Sequence, residues 1–104
     1  MNQNTVLGEI VRRIVVFAHP EQIILFGSTA RGDATGNSDI DLLVIKADVP
    51  HRRKLAQKIH RQLFGIGVPV DILVFTPADL HRLRSAVGSI VPTALAEGRV
   101  IYAA

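Results

Sequence analysis

The stretch "IILFGSTARGDATGNSDIDLLVI", Ile23 to Ile45, sets two very apolar runs around a glycine-rich polar segment. Both runs are short, branched and apolar, so both read as strands that must be buried. The second carries Asp39 and Asp41 among its apolar residues. A buried ionised carboxylate is costly unless it is paired or holds a metal. Any fold of this chain must therefore bring a cation to one end of that strand, and the remaining sequence should say what the cation is for.

The other segments fit around these strands. Leu7, Ile10, Val11, Ile14 and Ala18 recur at helical spacing, which predicts an amphipathic helix from about Thr5 to Ala18, with Pro20 beyond it. Gln22 to Phe26 is the first strand. Gly27 and Ser28 begin a turn into a brief helix that Gly32 stops, "ATGN" is a loop, and Asp39 to Ile45 is the second strand. A helix is expected from Pro50 to about Phe64, with Leu55, Ile59 and Leu63 facing inward. "VDILVF", Val70 to Phe75, is a third strand. Thr76 and Pro77 then open another helix as N-cap and first residue. A last helix from Ile90 to Glu97, ended by Gly98, leads to a short strand "RVIY". This order predicts an α/β architecture in which helices cover a small sheet. A chain of 104 residues makes one domain, residues 1–104.

Composition narrows the chemistry. There is no cysteine, which excludes disulfides and thiolate metal sites. No apolar run approaches the roughly 20 residues that cross a bilayer, and "MNQNTVLGEIVRR" lacks a signal-peptide layout, so a cytoplasmic protein without membrane contact is expected. The net charge of +3 comes from nine arginines and three lysines against nine acids. Lys54, Lys58 and Arg61 form a stripe beside Arg53, but no aromatic interleaving supports base stacking, and direct nucleic-acid binding is not expected.

Several motifs fail. Gly27 and Gly32 have P-loop spacing, but Asp33 and Ala34 stand where lysine and a hydroxyl residue are required. "DATGNSD" has its glycine misplaced for a calcium loop and no closing glutamate. "GIGVPV" lacks a third dinucleotide-binding glycine. His19, His51, His60 and His81 form no close pair of zinc-ligand spacing. Ser28, Ser38, Ser85 and Ser89 have no histidine–aspartate context for a hydrolase.

One constellation survives. Side chains alternate along a strand, so Asp39 and Asp41 point to one face while Ile40 and Leu42 point into the core. Asp71 opens the third strand and can join them if the two strands are neighbours. Three such carboxylates raise one another's pKa, and a divalent cation relieves the conflict. All-oxygen ligands select magnesium, or manganese, over zinc. Gly27 and Ser28 lie at a strand-to-helix turn, where backbone amides bind anions and glycine admits a phosphate. Arg31 can return toward the same phosphate. A metal end and a phosphate end on neighbouring elements equip the chain for metal-assisted phosphoryl or nucleotidyl transfer.

Gly27 and Ser28, ten residues, then Asp39-x-Asp41, with Asp71 on a later strand, resembles the signature of the DNA polymerase beta-like nucleotidyltransferase superfamily. "GSTARGDATGNSDIDLLV" is similar to its minimal nucleotidyltransferase branch, and the resemblance runs on through "VDILVF" to "ALAEGRVIY". It implies a mixed sheet flanked by helices. It implies two magnesium ions on Asp39, Asp41 and Asp71, and a nucleotide held by Gly27 and Ser28 with Arg31 and Ser38 nearby. It also implies the antitoxin of a toxin–antitoxin pair, which transfers AMP from ATP to a tyrosine of a helical HEPN ribonuclease. The size of the chain suits that role, because no second domain is seen that would hold an acceptor. The alternative is a non-catalytic module that silences the same partner by contact.

Overall fold

The computed structural model describes residues 3–27, 39–86, 88–89 and 91–104. Four helices occur among the described residues: α1 (Gln3–Ala18), α2 (Arg52–Gln62), α3 (Pro77–Leu83) and α4 (Val91–Glu97). They surround one four-stranded sheet of β1 (Gln22–Phe26), β2 (Ile40–Ile45), β3 (Val70–Phe75) and β4 (Arg99–Ala103). The strand order is β3-β2-β1-β4. β1 runs antiparallel to β2 and β4, and β2 runs parallel to β3. The sheet is therefore mixed, and β3 and β4 are its edges.

The alternation of apolar residues builds two unequal layers. Ile23 and Leu25 of β1, Ile40, Leu42 and Val44 of β2, and Val70 and Val74 of β3 turn to one face. There they meet Leu7, Ile10, Ile14 and Ala18 of α1 and Ile59 of α2 in the main core. The other face carries a smaller cluster of Ile24, Phe26, Leu43, Ile45 and Ala94, with Phe75 and Leu80 against it. Burying a side chain of the size of Leu or Ile contributes about 1.5–3 kcal/mol, so the larger layer dominates stability. The smaller layer covers the end of its face near Ile45 and Phe75. At the other end, the same face carries Asp41 and Asp71.

The expected elements form, with shifted ends. α1 begins two residues before Thr5. α2 is shorter than the Pro50–Phe64 span. His51 is its N-cap in an extended conformation, and the Arg13 guanidinium satisfies the Gln62 and Phe64 carbonyls with hydrogen bonds of 3.3 and 2.9 Å. β2 begins at Ile40, with Asp39 immediately before it. Thr76 caps α3 as expected, and Asp79 completes a capping box: the Thr76 N–H donates to Asp79 Oδ2 at 3.0 Å and the Asp79 N–H donates to Thr76 Oγ1 at 3.1 Å. α4 starts at Val91, whose N–H donates to Ser89 Oγ at 3.1 Å. A Cβ at Gly98 would collide with the Ala94 carbonyl and with Ile24, so the tight α4–β4 turn requires glycine. The brief helix after Gly27, its stop at Gly32 and the "ATGN" loop lie outside the described residues.

Candidate active site

Strand register brings the site together. Asp41 lies in β2 opposite Phe26 of β1 on one side and Asp71 of β3 on the other. Asp41 and Asp71 are direct partners across a parallel pair, so their side chains leave the same face, as the strand pattern requires. Apolar neighbours fix this register: a slip of β2 by one residue would turn Leu42 and Val44 out of the core and Asp41 into it.

The electrostatics of this pair are strained. Asp41 is half-buried, while Asp71 and Asp39 are exposed. The Asp41 carboxyl is pushed above the ordinary carboxylate range, first by burial and then by the negative charge of Asp71. A hydrogen bond with Asp71 and the charge of Asp39 add to the rise. Two carboxyl groups can share a hydrogen bond only if one of them holds a proton, and Asp41 is the one whose affinity for it is raised.

Gly27 follows Phe26 and has a φ of +78°, in the region where other residues are strained. A Cβ there would run into the Asp41 carboxylate. Glycine is expected at this position so that a phosphate can approach; the structure adds a second reason, since the turn after β1 passes directly over Asp41. Ser28, Arg31 and Ser38 lie outside the described residues.

A divalent cation suits the aspartates on chemical grounds. The donors are all carboxylate oxygens, and a bound cation would replace the proton that the Asp41–Asp71 contact otherwise demands. Among the described residues, however, no three carboxylate or histidine side chains converge at metal-ligand spacing. Asp41 and Asp71 are brought together, and Asp39 reaches them through its charge on Asp41 rather than as a third member of a compact cluster.

Concavity alone would point elsewhere. A hollow of about 700 Å³ lies along the turn after α2, lined by Phe64, Ile66, Val68 and Pro69, and touches none of the aspartates. Its lining is mostly apolar, with His60 and Arg61 at one side and no carboxylate, so the charge arrangement is the better guide to chemistry. A groove of about 400 Å³ does reach Asp71, from Gln57, His60 and Arg61 of α2. Sequence spacing does not reveal that groove, because α2 and β3 meet there only through the fold.

Comparison with known proteins decides the family. The model of the family described as nucleotidyltransferase domain matches residues 8–100. The chain belongs to the nucleotidyltransferase domain family. Among curated relatives, MJ0604 of Methanocaldococcus jannaschii, provisionally named a protein adenylyltransferase, is 36% identical over 83 residues, covering 79% of this chain and 78% of the relative. MJ1305 of the same organism, named in the same provisional way, is 41% identical over 63 residues. That match spans 56% of this chain and less than half, 43%, of the relative's length.

The solved structures agree with the fold of this domain. The crystal structure of a Sulfolobus solfataricus protein, provisionally named a nucleotidyltransferase, superposes with a TM-score of 0.66 at 22% identity, covering 95% of this chain and 78% of that one. A chain of the MntA–HepT toxin–antitoxin crystal structure superposes at 0.57 with 27% identity, covering 98% and 74%. A third match is the complex of a tri-AMPylated Shewanella oneidensis HEPN toxin with its MNT antitoxin, at 0.58 and 26% identity, covering 99% and 74%.

Proposed function

We propose that this nucleotidyltransferase moves AMP from ATP to a tyrosine hydroxyl of a HEPN-type toxin and thereby neutralises it. The observation that carries the reading is the in-register pair of Asp41 and Asp71 on one sheet face, with Gly27 set against the Asp41 carboxylate. Support for the acceptor comes from the relatives, which include provisionally named protein adenylyltransferases and a complex holding an AMPylated HEPN toxin. The same family supports ATP as donor, since a further solved toxin–antitoxin structure contains AMP-PNP.

In this mechanism the triphosphate lies on the Gly27–Ser28 turn, where backbone amides and the Ser28 hydroxyl donate to its oxygens. Arg31 and Ser38 are assigned to the same nucleotide. Asp39, Asp41 and Asp71 would hold magnesium, or manganese in its place. When bound, two such ions supply charge neutralisation of the triphosphate and a lowered pKa of the acceptor hydroxyl. Asp71 is the exposed member of the carboxylate pair. It takes the phenolic proton as the phenolic oxygen bonds to the α-phosphorus. The α-phosphorus–oxygen bond to pyrophosphate breaks in line, and pyrophosphate leaves. A free phenol ionises near pH 10, so a base and a cation are both needed at neutral pH.

The test is to purify the chain with a co-expressed HEPN protein, add ATP and magnesium, and weigh the acceptor. One tyrosine-containing peptide should gain ~329 Da, the mass of AMP less water. A HEPN protein that is bound and silenced yet gains no mass would sink the catalytic reading in favour of neutralisation by contact.

A further inference from the structure

The positive charge of this chain is concentrated on one helix. The segment from Val49 to Val70 holds five of the twelve basic residues and none of the nine acids. Elsewhere acids outnumber bases, seven basic against nine acidic residues. Of the five, Arg52 is used within the fold: its guanidinium lies 3.5 Å from Asp79 and 4.9 Å from the centre of the Phe75 ring. The other four, Arg53, Lys54, Lys58 and Arg61, are exposed and meet no acidic side chain among the described residues. Helical spacing gathers these four on the face of α2 opposite Leu55 and Ile59.

Along the flank of α2 runs a trough whose helix side carries Arg53 and Arg61, with Lys54 and Lys58 on the exposed face beside it. The groove of about 400 Å³ beside Asp71 and a second of about 430 Å³ beside Arg53 share Ala56, Gln57 and Ile72 in their walls. They form one continuous channel between α2 and the free edge of β3. Its floor is apolar, from Ile72 and Val74, and its outer wall is basic. Its end near Arg61 opens at Asp71. Among the described residues, the strand edge beside it has no neighbour in the sheet. Ile40 N–H donates to the Pro69 carbonyl and Lys46 N–H to the Phe75 carbonyl, each at 3.0 Å, so odd-numbered residues of β3 bond to β2. The peptide groups of Ile72 and Val74 therefore turn toward the trough.

We infer that this trough is the dock for an acidic segment of the acceptor protein, which it holds so that a neighbouring hydroxyl meets Asp71. The inference rests on the proposed transfer for its acceptor and goes beyond it by naming the surface and the sign of the partner's charge. An apolar floor with a basic wall suits a protein segment that mixes acidic and apolar side chains. It suits nucleic acid less, because phosphates gain nothing from Ile72 or Val74, and Phe75, the phenyl ring in its wall, already has the Arg52 guanidinium 4.9 Å from its centre. Four cations with no acid against them also raise the rate at which an acidic surface arrives, and make its binding sensitive to salt.

The experiment uses the full chain, the purified HEPN acceptor and ATP. The triple reversal Arg53→Glu, Lys58→Glu and Arg61→Glu is compared with a control reversal elsewhere, Arg84→Glu with Arg99→Glu. Acceptor Kd, measured by titration, and acceptor KM should each rise at least about tenfold in the triple variant alone. ATP affinity should stay within about twofold in both. If the triple variant melts early, the milder pair Lys58→Gln with Arg61→Gln should weaken acceptor binding and flatten its salt dependence. An acceptor Kd within about twofold of the parent in either variant overturns the dock. So does loss of oligouridylate binding with acceptor binding intact, which would assign the helix to RNA. Because the titration needs no turnover, a parent that binds the acceptor but transfers no AMP would refute the functional reading and still decide the dock.

Discussion

Two aspartates at opposite ends of β3 stand in opposite chemical states. Asp79, just beyond its carboxyl end, is surrounded by donors. The Thr76 N–H reaches it at 3.0 Å, Arg82 at 3.1 Å and Arg52 at 3.5 Å. Its carboxyl is held below the ordinary range, first by the Thr76 backbone hydrogen bond. Asp41, near the amino end, faces Asp71 across the strand pair and is pushed the other way. Every charge that Asp79 needs is supplied by the chain. For Asp41, the described neighbours add negative charge instead. The difference teaches how to sort carboxylates: one satisfied from within belongs to the fold, and one set against its own kind awaits a cation from outside.

The largest expected effect is on chemistry. Asp71→Asn should reduce AMP transfer by roughly 100-fold or more, the range for loss of a positioned base, with ATP still bound. Asp79→Ala should leave the rate per folded molecule unchanged. Labelled ATP and the HEPN acceptor, assayed side by side, would collapse the comparison if the two variants lost transfer equally.

Gly27→Val comes next, because it touches both states at once. A branched side chain at φ +78° strains the backbone and meets the Asp41 carboxylate. The strain should cost about 1–3 kcal/mol, and the blocked turn should lose ATP binding. Denaturant melts and nucleotide titrations read the two separately. A Gly27→Val protein that binds ATP like the parent would move the phosphate site away from this turn.

Removing the satisfied aspartate is a smaller and purely structural change. Asp79→Ala breaks half of the capping box and should cost about 1 kcal/mol, the usual scale for a helix cap. That corresponds to a fall of roughly 4–8 °C in Tm for a domain of this size. No fall at all would mean that the α3 cap is maintained by Thr76 alone.

Both aspartate strands are legible in the sequence. Alternation along "IDLLVI" and "VDILVF" is enough to place them and their apolar backs, because period-2 patterning and branched side chains agree there. Thr76 and Pro77 mark the start of α3 by local chemistry alone. Pairing is not legible: nothing local says that β3 lies beside β2, in parallel, with Asp71 level with Asp41. The family resemblance implies neighbouring strands, but their register is a property of the fold. Asp79 stands three residues after the N-cap Thr76, the spacing of a capping box, so its role too carries a local signal. The ends of α2 depart from the expected span because His51 is extended at the amino end and Gly65 takes φ +81° past the carboxyl end, where Arg13 of α1 satisfies the Gln62 and Phe64 carbonyls. The trough beside Asp71 exists only where two distant segments meet, though the acid-free run from Val49 to Val70 is a signal of it.

The smallest effect is the sharpest test of the contrast, because its sign is fixed. Asp41 has a raised pKa in the folded state. A carboxyl of that kind contributes most to stability while protonated, below the ordinary unfolded value near 4. The contribution is lost as pH rises through the folded pKa, since ionising it costs more inside the protein than in the open chain. Asp79 has the opposite sign: its lowered pKa gives stability above the ordinary range, lost as pH falls through the folded value. Asp41→Asn cannot ionise. In metal-free buffer it should melt a few degrees above the parent at pH 8, and the gain should shrink toward pH 4. Asp79→Asn should melt below the parent at pH 8, with its deficit shrinking in acid. Magnesium with ATP should reverse the first result, raising the Tm of the parent well above that of Asp41→Asn, because only the parent keeps both carboxylates to bind the cation. A metal-free Asp41→Asn protein that melts at or below the parent at pH 8 would show that the Asp41–Asp71 contact is not in conflict, and the case for an external cation would lose its physical ground.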